Sequence, residues 1–110
     1  MYHTTTRIYR TSLLLVEDCR QVMEGLPRGY APLKDQMLRA SASVPLHYME
    51  GCGRRTLKDR RTFVDTSKAS AYEVHGILDV ALCFRVVDPE LAARAKTRCD
   101  QLAAMLSKYR

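Results

Sequence analysis

No apolar run in this chain approaches the roughly 18 residues that a membrane span needs, and Met1 to Arg10 holds no apolar stretch of the signal-peptide kind. The expectation is a cytoplasmic protein with no membrane partner. Cysteine is limited to Cys19, Cys52, Cys83 and Cys99, and no two of them form a C-x-x-C pair. That spacing specifies no zinc site, so four reduced thiols serving as small hydrophobes in the core are expected. Asn-Gly and Asp-Gly turns are missing and no stretch alternates apolar with polar residues, which removes the usual signals for hairpins. There is no G-x-S-x-G elbow, Walker loop or Gly-rich dinucleotide fingerprint, and no repeat or low-complexity segment. These gaps argue against the common nucleophile and nucleotide enzymes.

What is present suits one soluble domain spanning residues 1–110, with 46% hydrophobic and 27% charged residues. A domain this short buries only about 60–70% of the surface of its unfolded chain, so self-association is expected as a way to hide more.

Helical periodicity dominates. Ile8, Leu15, Cys19, Val22 and Leu26 lie on one face of a first helix, predicted to start near Thr4-Thr5-Thr6, whose hydroxyls can cap free N–H groups, and to end at a left-handed Gly25. After a turn at Pro27, Gly29 and Pro32, a second helix is predicted from about Ala31 to Cys52 through Leu33, Met37, Ala40, Val44 and Tyr48. Pro45 lies inside it and removes one N–H, so a kink is expected rather than two helices, with Ser41 and Ser43 helping to satisfy the loosened backbone. Gly51 and Gly53 close this helix, and Thr56 with Asp59 offers a cap for a third, which carries Leu57, Val64, Ala71, Val74, Leu78 and Leu82 to Phe84 or beyond. Asp88-Pro89-Glu90 then reads as cap, first-turn proline and first-turn acid of a fourth helix through Leu91, Ala95, Leu102 and Leu106. Four helices with short connections imply an all-α, antiparallel up-and-down four-helix bundle.

The formal net charge is +6, and its densest stretch is Arg54, Arg55, Lys58, Arg60 and Arg61 around the single acid Asp59. Lys58, Arg60 and Arg61 fall in the first turns of the third helix, where cations oppose the macrodipole. Phosphate binding would account for that arrangement, and a solvated loop is the alternative. Phe63 is the one aromatic near the cluster and is expected to face the core, so base-specific readout is not expected.

The segment Leu33-Lys34-Asp35-Gln36-Met37-Leu38-Arg39-Ala40-Ser41-Ala42-Ser43-Val44-Pro45, followed by Glu50-Gly51-Cys52-Gly53-Arg54, resembles the bacterial four-helix-bundle family of proteins encoded in intervening sequences of 23S ribosomal RNA. That family reads L-x-x-Q-L-R-R-A-A-x-S-I-P-x-N-I-A-E-G-x-G-R. Phe63, Lys68-Ala69-Ser70 and Glu73 look like its third-helix pattern, and the likeness runs from about Tyr9 to Leu106. His47 stands where the family has Asn, and Tyr48-Met49 replaces Ile-Ala, which puts the packing after Pro45 in doubt. The resemblance implies an up-down bundle, often a ring of five, with no established enzymatic activity; no cofactor is expected. It is distantly similar to the accessory bundle proteins of diversity-generating retroelements, which look like basic rings that bind nucleic acid and a polymerase.

His47, Glu50, Glu73 and His75 are the candidates for a metal or acid-base set. The His47-x-x-Glu50 order reverses the Glu-x-x-His of di-metal bundles, and Glu73-x-His75 points to two faces, so no metal is expected; the alternative has Glu50 paired with Arg39 or a serine and His75 at the surface. Gln36, Arg39, Ser43, His47 and Glu50 instead form a polar stripe on the second helix. It reads equally as a solvated face, a network with Ser70 and Glu73, or a subunit interface with ion pairs. Cys52, between two glycines and beside Arg54 and Arg55, is the cysteine to test for reactivity, although packing at a helix end is the simpler reading. The functional expectation is a non-enzymatic homo-oligomer, pentameric by resemblance, that binds RNA or other nucleic acid through Arg54, Arg55, Lys58, Arg60 and Arg61. The alternative is a scaffold for an acidic protein partner.

Overall fold

The computed structural model describes residues 3–109, with side chains from Thr6 to Tyr109. Four helices follow in order, α1 (His3–Gly25), α2 (Ala31–Cys52), α3 (Leu57–Cys83) and α4 (Pro89–Ser107), with no strand among the described residues. Each helix packs on two neighbours: α1 on α2 and α4, and α3 on α2 and α4. Connections of four or five residues force successive helices antiparallel, which makes this the up-and-down bundle that periodicity implies.

The helix ends show the local chemistry at work. Thr56 Oγ1 accepts the N–H of Asp59 at 3.1 Å, and Asp88 Oδ2 accepts that of Leu91 at 3.2 Å, so both predicted caps form. Gly25 remains helical, and the left-handed glycine is Gly29 in the following turn, with φ +96°. Thr6 lies inside α1 rather than capping it, and the side chains of Thr4 and Thr5 fall outside the described residues. At the end of α3 the N–H groups of Arg85 and Val86 bond the carbonyls of Leu82 and Ala81, which places Arg85 at the left-handed position that glycine normally takes, with φ +60°.

The core is built from the predicted stripes: Ile8, Leu15, Cys19 and Val22 on α1 meet Met37, Ala40, Val44 and Tyr48 on α2, Val64, Ala71, Val74 and Leu78 on α3, and Ala95, Cys99, Leu102 and Leu106 on α4. Leu57 and Cys83 depart from expectation and are exposed, because each lies at an extreme end of α3 where no neighbouring helix covers it. Helix α2 passes through Pro45 as one helix. Next to the proline, Ser67 of α3 donates to the Val44 carbonyl at 2.7 Å and so ties α2 to α3, while Ser41 bonds the Leu38 carbonyl within its own helix; neither hydroxyl reaches the Ser41 carbonyl that Pro45 leaves without its N–H. Tyr48 is buried and meets Tyr109 edge-on, with ring centroids 5.6 Å apart, so the larger side chain after Pro45 is absorbed by the C-terminal residues.

Candidate functional site

The turn between α2 and α3 is tight because Gly51 permits it. A Cβ at Gly51 would lie 2.9 Å from the Phe63 Cβ and 3.3 Å from the Arg60 carbonyl oxygen, so α2 and α3 approach here at a distance that only glycine allows. Gly53 then caps α2 by donating its N–H to the Glu50 carbonyl, and the N–H of Arg54 donates to the Gly51 carbonyl.

This turn sorts the five basic residues into two groups. Arg54 Nη2 pairs with Glu50 Oε2 at 2.9 Å, and its guanidinium carbon lies 4.5 Å from the centre of the Phe63 ring. Arg60 is half-buried and donates from Nε to the Arg54 carbonyl oxygen at 2.8 Å. These two secure the turn. Arg55, Lys58 and Arg61 are exposed and form no ion pair with a described residue. Phe63 does not enter the core as expected. It is half-buried, stacked on His47 with centroids 6.3 Å apart as well as against Arg54, because Gly51 brings its helix position to the rim of the α2–α3 seam.

The polar stripe divides in the same way. Ser43 and Ser70 share a 2.6 Å hydrogen bond between α2 and α3, and His47 Nδ1 lies 2.8 Å from Ser43 Oγ. Gln36, Arg39 and Glu73 are exposed and take no part in that network, and Glu50 pairs with Arg54, not with Arg39 or a serine. His75 bonds Asp100 of α4 at 3.0 Å, with Asp79 at 3.8 Å from its other nitrogen, so His47, Glu50, Glu73 and His75 do not converge. Lys96 completes this surface link at 2.6 Å from Asp79 and, by its hydrogen bond first of all, holds the Asp79 carboxyl below its usual range. Among the described residues no group of three or more His, Cys, Asp and Glu is arranged to hold a metal ion.

The cysteines differ by location. Cys19 and Cys99 are buried, and burial above all pushes each thiol up to about 12. Cys52 is half-buried next to Tyr109, whose hydroxyl is pushed up first by burial and then by this thiol. It therefore packs at a helix end.

One charged cluster escaped the sequence reading. Asp18 of α1 has a side chain only 4% exposed and accepts from Arg94 at 3.1 Å and Arg98 at 2.6 Å, both on α4, while Arg94 also reaches Gln21 at 3.2 Å. Asp18 falls between Leu15 and Val22 on the inward stripe, and Arg94 and Arg98 are four apart, so an acid on an apolar face facing an i, i+4 arginine pair was the available signal.

A protein-family model described as the 23S rRNA-intervening sequence protein matches residues 4–108. The chain belongs to that family. No curated protein matches it. The family-like segment Glu50 to Arg54 is the same one that builds the turn, with Gly51 supplying the close approach and Glu50 holding Arg54. No helix among the described residues is long and apolar enough to cross a membrane.

Proposed function

We propose that this protein is a non-enzymatic, homo-oligomeric bundle, in our reading a ring of five, that binds the phosphate backbone of RNA or other nucleic acid without strong sequence preference. The observation that carries the reading is the turn between α2 and α3: Arg55, Lys58 and Arg61 project from it exposed and without acidic partners, although two of them sit at a helix start where cations are disfavoured. A phosphate track removes that penalty and releases counterions. Arg54 and Arg60 hold the turn that displays the three. Weak sequence preference follows from Phe63, whose ring is occupied by His47 and Arg54 and offers no platform for a base.

Self-association is supported by α2, where Leu38 and Leu46 are 57% and 65% exposed and share a helix face with Ala42 and Met49. Ring assembly would repeat the basic turn and multiply its field.

Fluorescence anisotropy of a labelled RNA hairpin, with nuclease-treated protein at several salt concentrations, tests the reading. The three contacts of the turn alone predict an affinity at least about 40-fold weaker at 200 mM than at 50 mM salt, and the Arg55→Gln/Lys58→Gln/Arg61→Gln variant should lose most of its binding with its helicity unchanged. Binding retained by that variant, or absent from the natural protein at low salt, would sink it. Light scattering gives the subunit number separately.

A further inference from the structure

The antiparallel topology collects positive charge from distant parts of the chain at one end of the bundle. The N-terminal half of α1, the turn between α2 and α3 and the C-terminus of α4 share that end, as the contacts of Tyr109 with Tyr48 and Cys52 show for α4. Arg7 and Arg10 on α1 and Lys108 after α4 are exposed there. Glu50 at this end is engaged by Arg54, leaving Asp59 and Asp65 as the nearby acids on α3. The opposite half is balanced, with Arg20 held by Glu17 and Glu24, Lys96 by Asp79, and Asp18 between Arg94 and Arg98.

Arg7 and Arg10, three residues apart on one face of α1, line an open hollow of about 270 Å³ together with Thr6, Thr11 and Leu14. Neither arginine forms an ion pair with a described residue. Two exposed cations three residues apart on one helix, with no carboxylate between them, carry a mild like-charge repulsion, and a phosphate would relieve it, since the guanidinium fork matches phosphate oxygens.

We infer that Arg7 and Arg10 form a second phosphate-binding patch, so that a nucleic-acid duplex lies across the end of the bundle and touches both α1 and the α2–α3 turn. This rests on the reading of the turn given above. The dimensions agree: the bundle measures 44 × 22 × 18 Å, with helices along the long axis, and a DNA duplex rising 3.4 Å per base pair crosses the wider transverse dimension in about six base pairs, an A-form RNA stem in slightly more. Under this proposal both patches fall within the footprint of one short duplex.

The test compares the natural protein with Arg7→Gln/Arg10→Gln and with Arg55→Gln/Lys58→Gln/Arg61→Gln. Each is titrated against a labelled RNA stem and against a DNA duplex of matched length, from 50 to 200 mM salt. Loss of two contacts should make the plot of log affinity against log salt shallower by about 2 for Arg7→Gln/Arg10→Gln, with circular dichroism and subunit number unchanged. A loss seen with only one duplex supports the patch and assigns it to that nucleic acid. Natural affinity and slope in Arg7→Gln/Arg10→Gln, with binding lost in the triple variant, would overturn the α1 patch and leave the turn as the whole site. Natural behaviour in both variants would overturn both.

Discussion

Arg60 Nε donates a 2.8 Å hydrogen bond to the carbonyl oxygen of Arg54, so one arginine of the basic segment holds the backbone from which its neighbours project. Charge alone does not distinguish the two roles. The turn would otherwise leave this carbonyl to solvent, and the guanidinium both satisfies it and ties the start of α3 to the end of α2. Arg60→Met keeps the aliphatic stem and removes the donor. It should lower stability by about 1 kcal/mol, seen as a melting temperature about 4–8 °C lower. An unchanged melting temperature would show that the bond does not hold the turn.

Gly51→Ala gives a prediction whose sign is informative. Alanine in an exposed helix normally stabilises by about 1 kcal/mol relative to glycine. Here the added Cβ would meet Phe63 at 2.9 Å and must push α2 from α3, so a net loss of about 1–2 kcal/mol is expected in urea denaturation. A gain in stability would mean that the seam is looser than described.

The Asp18 cluster joins the two ends of the chain. Asp18→Asn leaves Arg94 and Arg98 without their carboxylate, but these side chains are 50% and 25% exposed and retain water. The cost should therefore fall below that of a fully buried pair, at about 2–3 kcal/mol. A double-mutant cycle with Arg98→Met should show coupling between the two positions; strict additivity would refute a direct link.

Thiol labelling should follow burial. Cys83 should react first, Cys52 more slowly, and Cys19 and Cys99 only when the chain unfolds. The two buried thiols also predict alkaline sensitivity. Their folded values are raised to about 12, above the ordinary thiol value, so the folded state holds its protons more tightly than the unfolded one. Stability is intact below about pH 9 and falls as pH rises toward 12. Cys19→Ser/Cys99→Ser should change that slope, measured by urea midpoints at pH 8 and pH 10.

Arg85 occupies a left-handed position at φ +60° in the motif that ends α3. Arg85→Gly should stabilise by about 0.5–1 kcal/mol, since glycine adopts this conformation without a Cβ penalty. A lower melting temperature would indicate that the arginine side chain is needed there.

The helices and most of their inward faces were legible because a 3.6-residue period writes burial directly into the sequence, as Ile8, Leu15, Cys19 and Val22 show. The caps at Thr56 and Asp88 were legible because they rely on contacts three residues away. Phe63 was not, since its aromatic character suits either a core or a stacked surface position, and the choice depended on His47 and Arg54 coming from another helix. Leu57 matches the apolar pattern, and Cys83 was expected in the core as a small hydrophobe, yet both lie beyond the cover of the neighbouring helices. The stripe from Gln36 to Glu50 was divided by its neighbours: Ser70 took Ser43, Arg54 took Glu50, and solvent kept Gln36 and Arg39.

By itself the sequence determined the number of helices, their apolar faces, the family and the concentration of arginine and lysine between residues 54 and 61. These are properties of short stretches, set by periodicity and composition. It took the packing of the helices to show that Arg54 and Arg60 hold the turn while Arg55, Lys58 and Arg61 face solvent, that Asp18 lies against Arg94 and Arg98, and that Arg7 and Arg10 share an end of the bundle with that turn. The reason is physical: a helix's own period says which face turns inward, but which side chains meet across a seam and which helix ends lie together depends on how the helices pack.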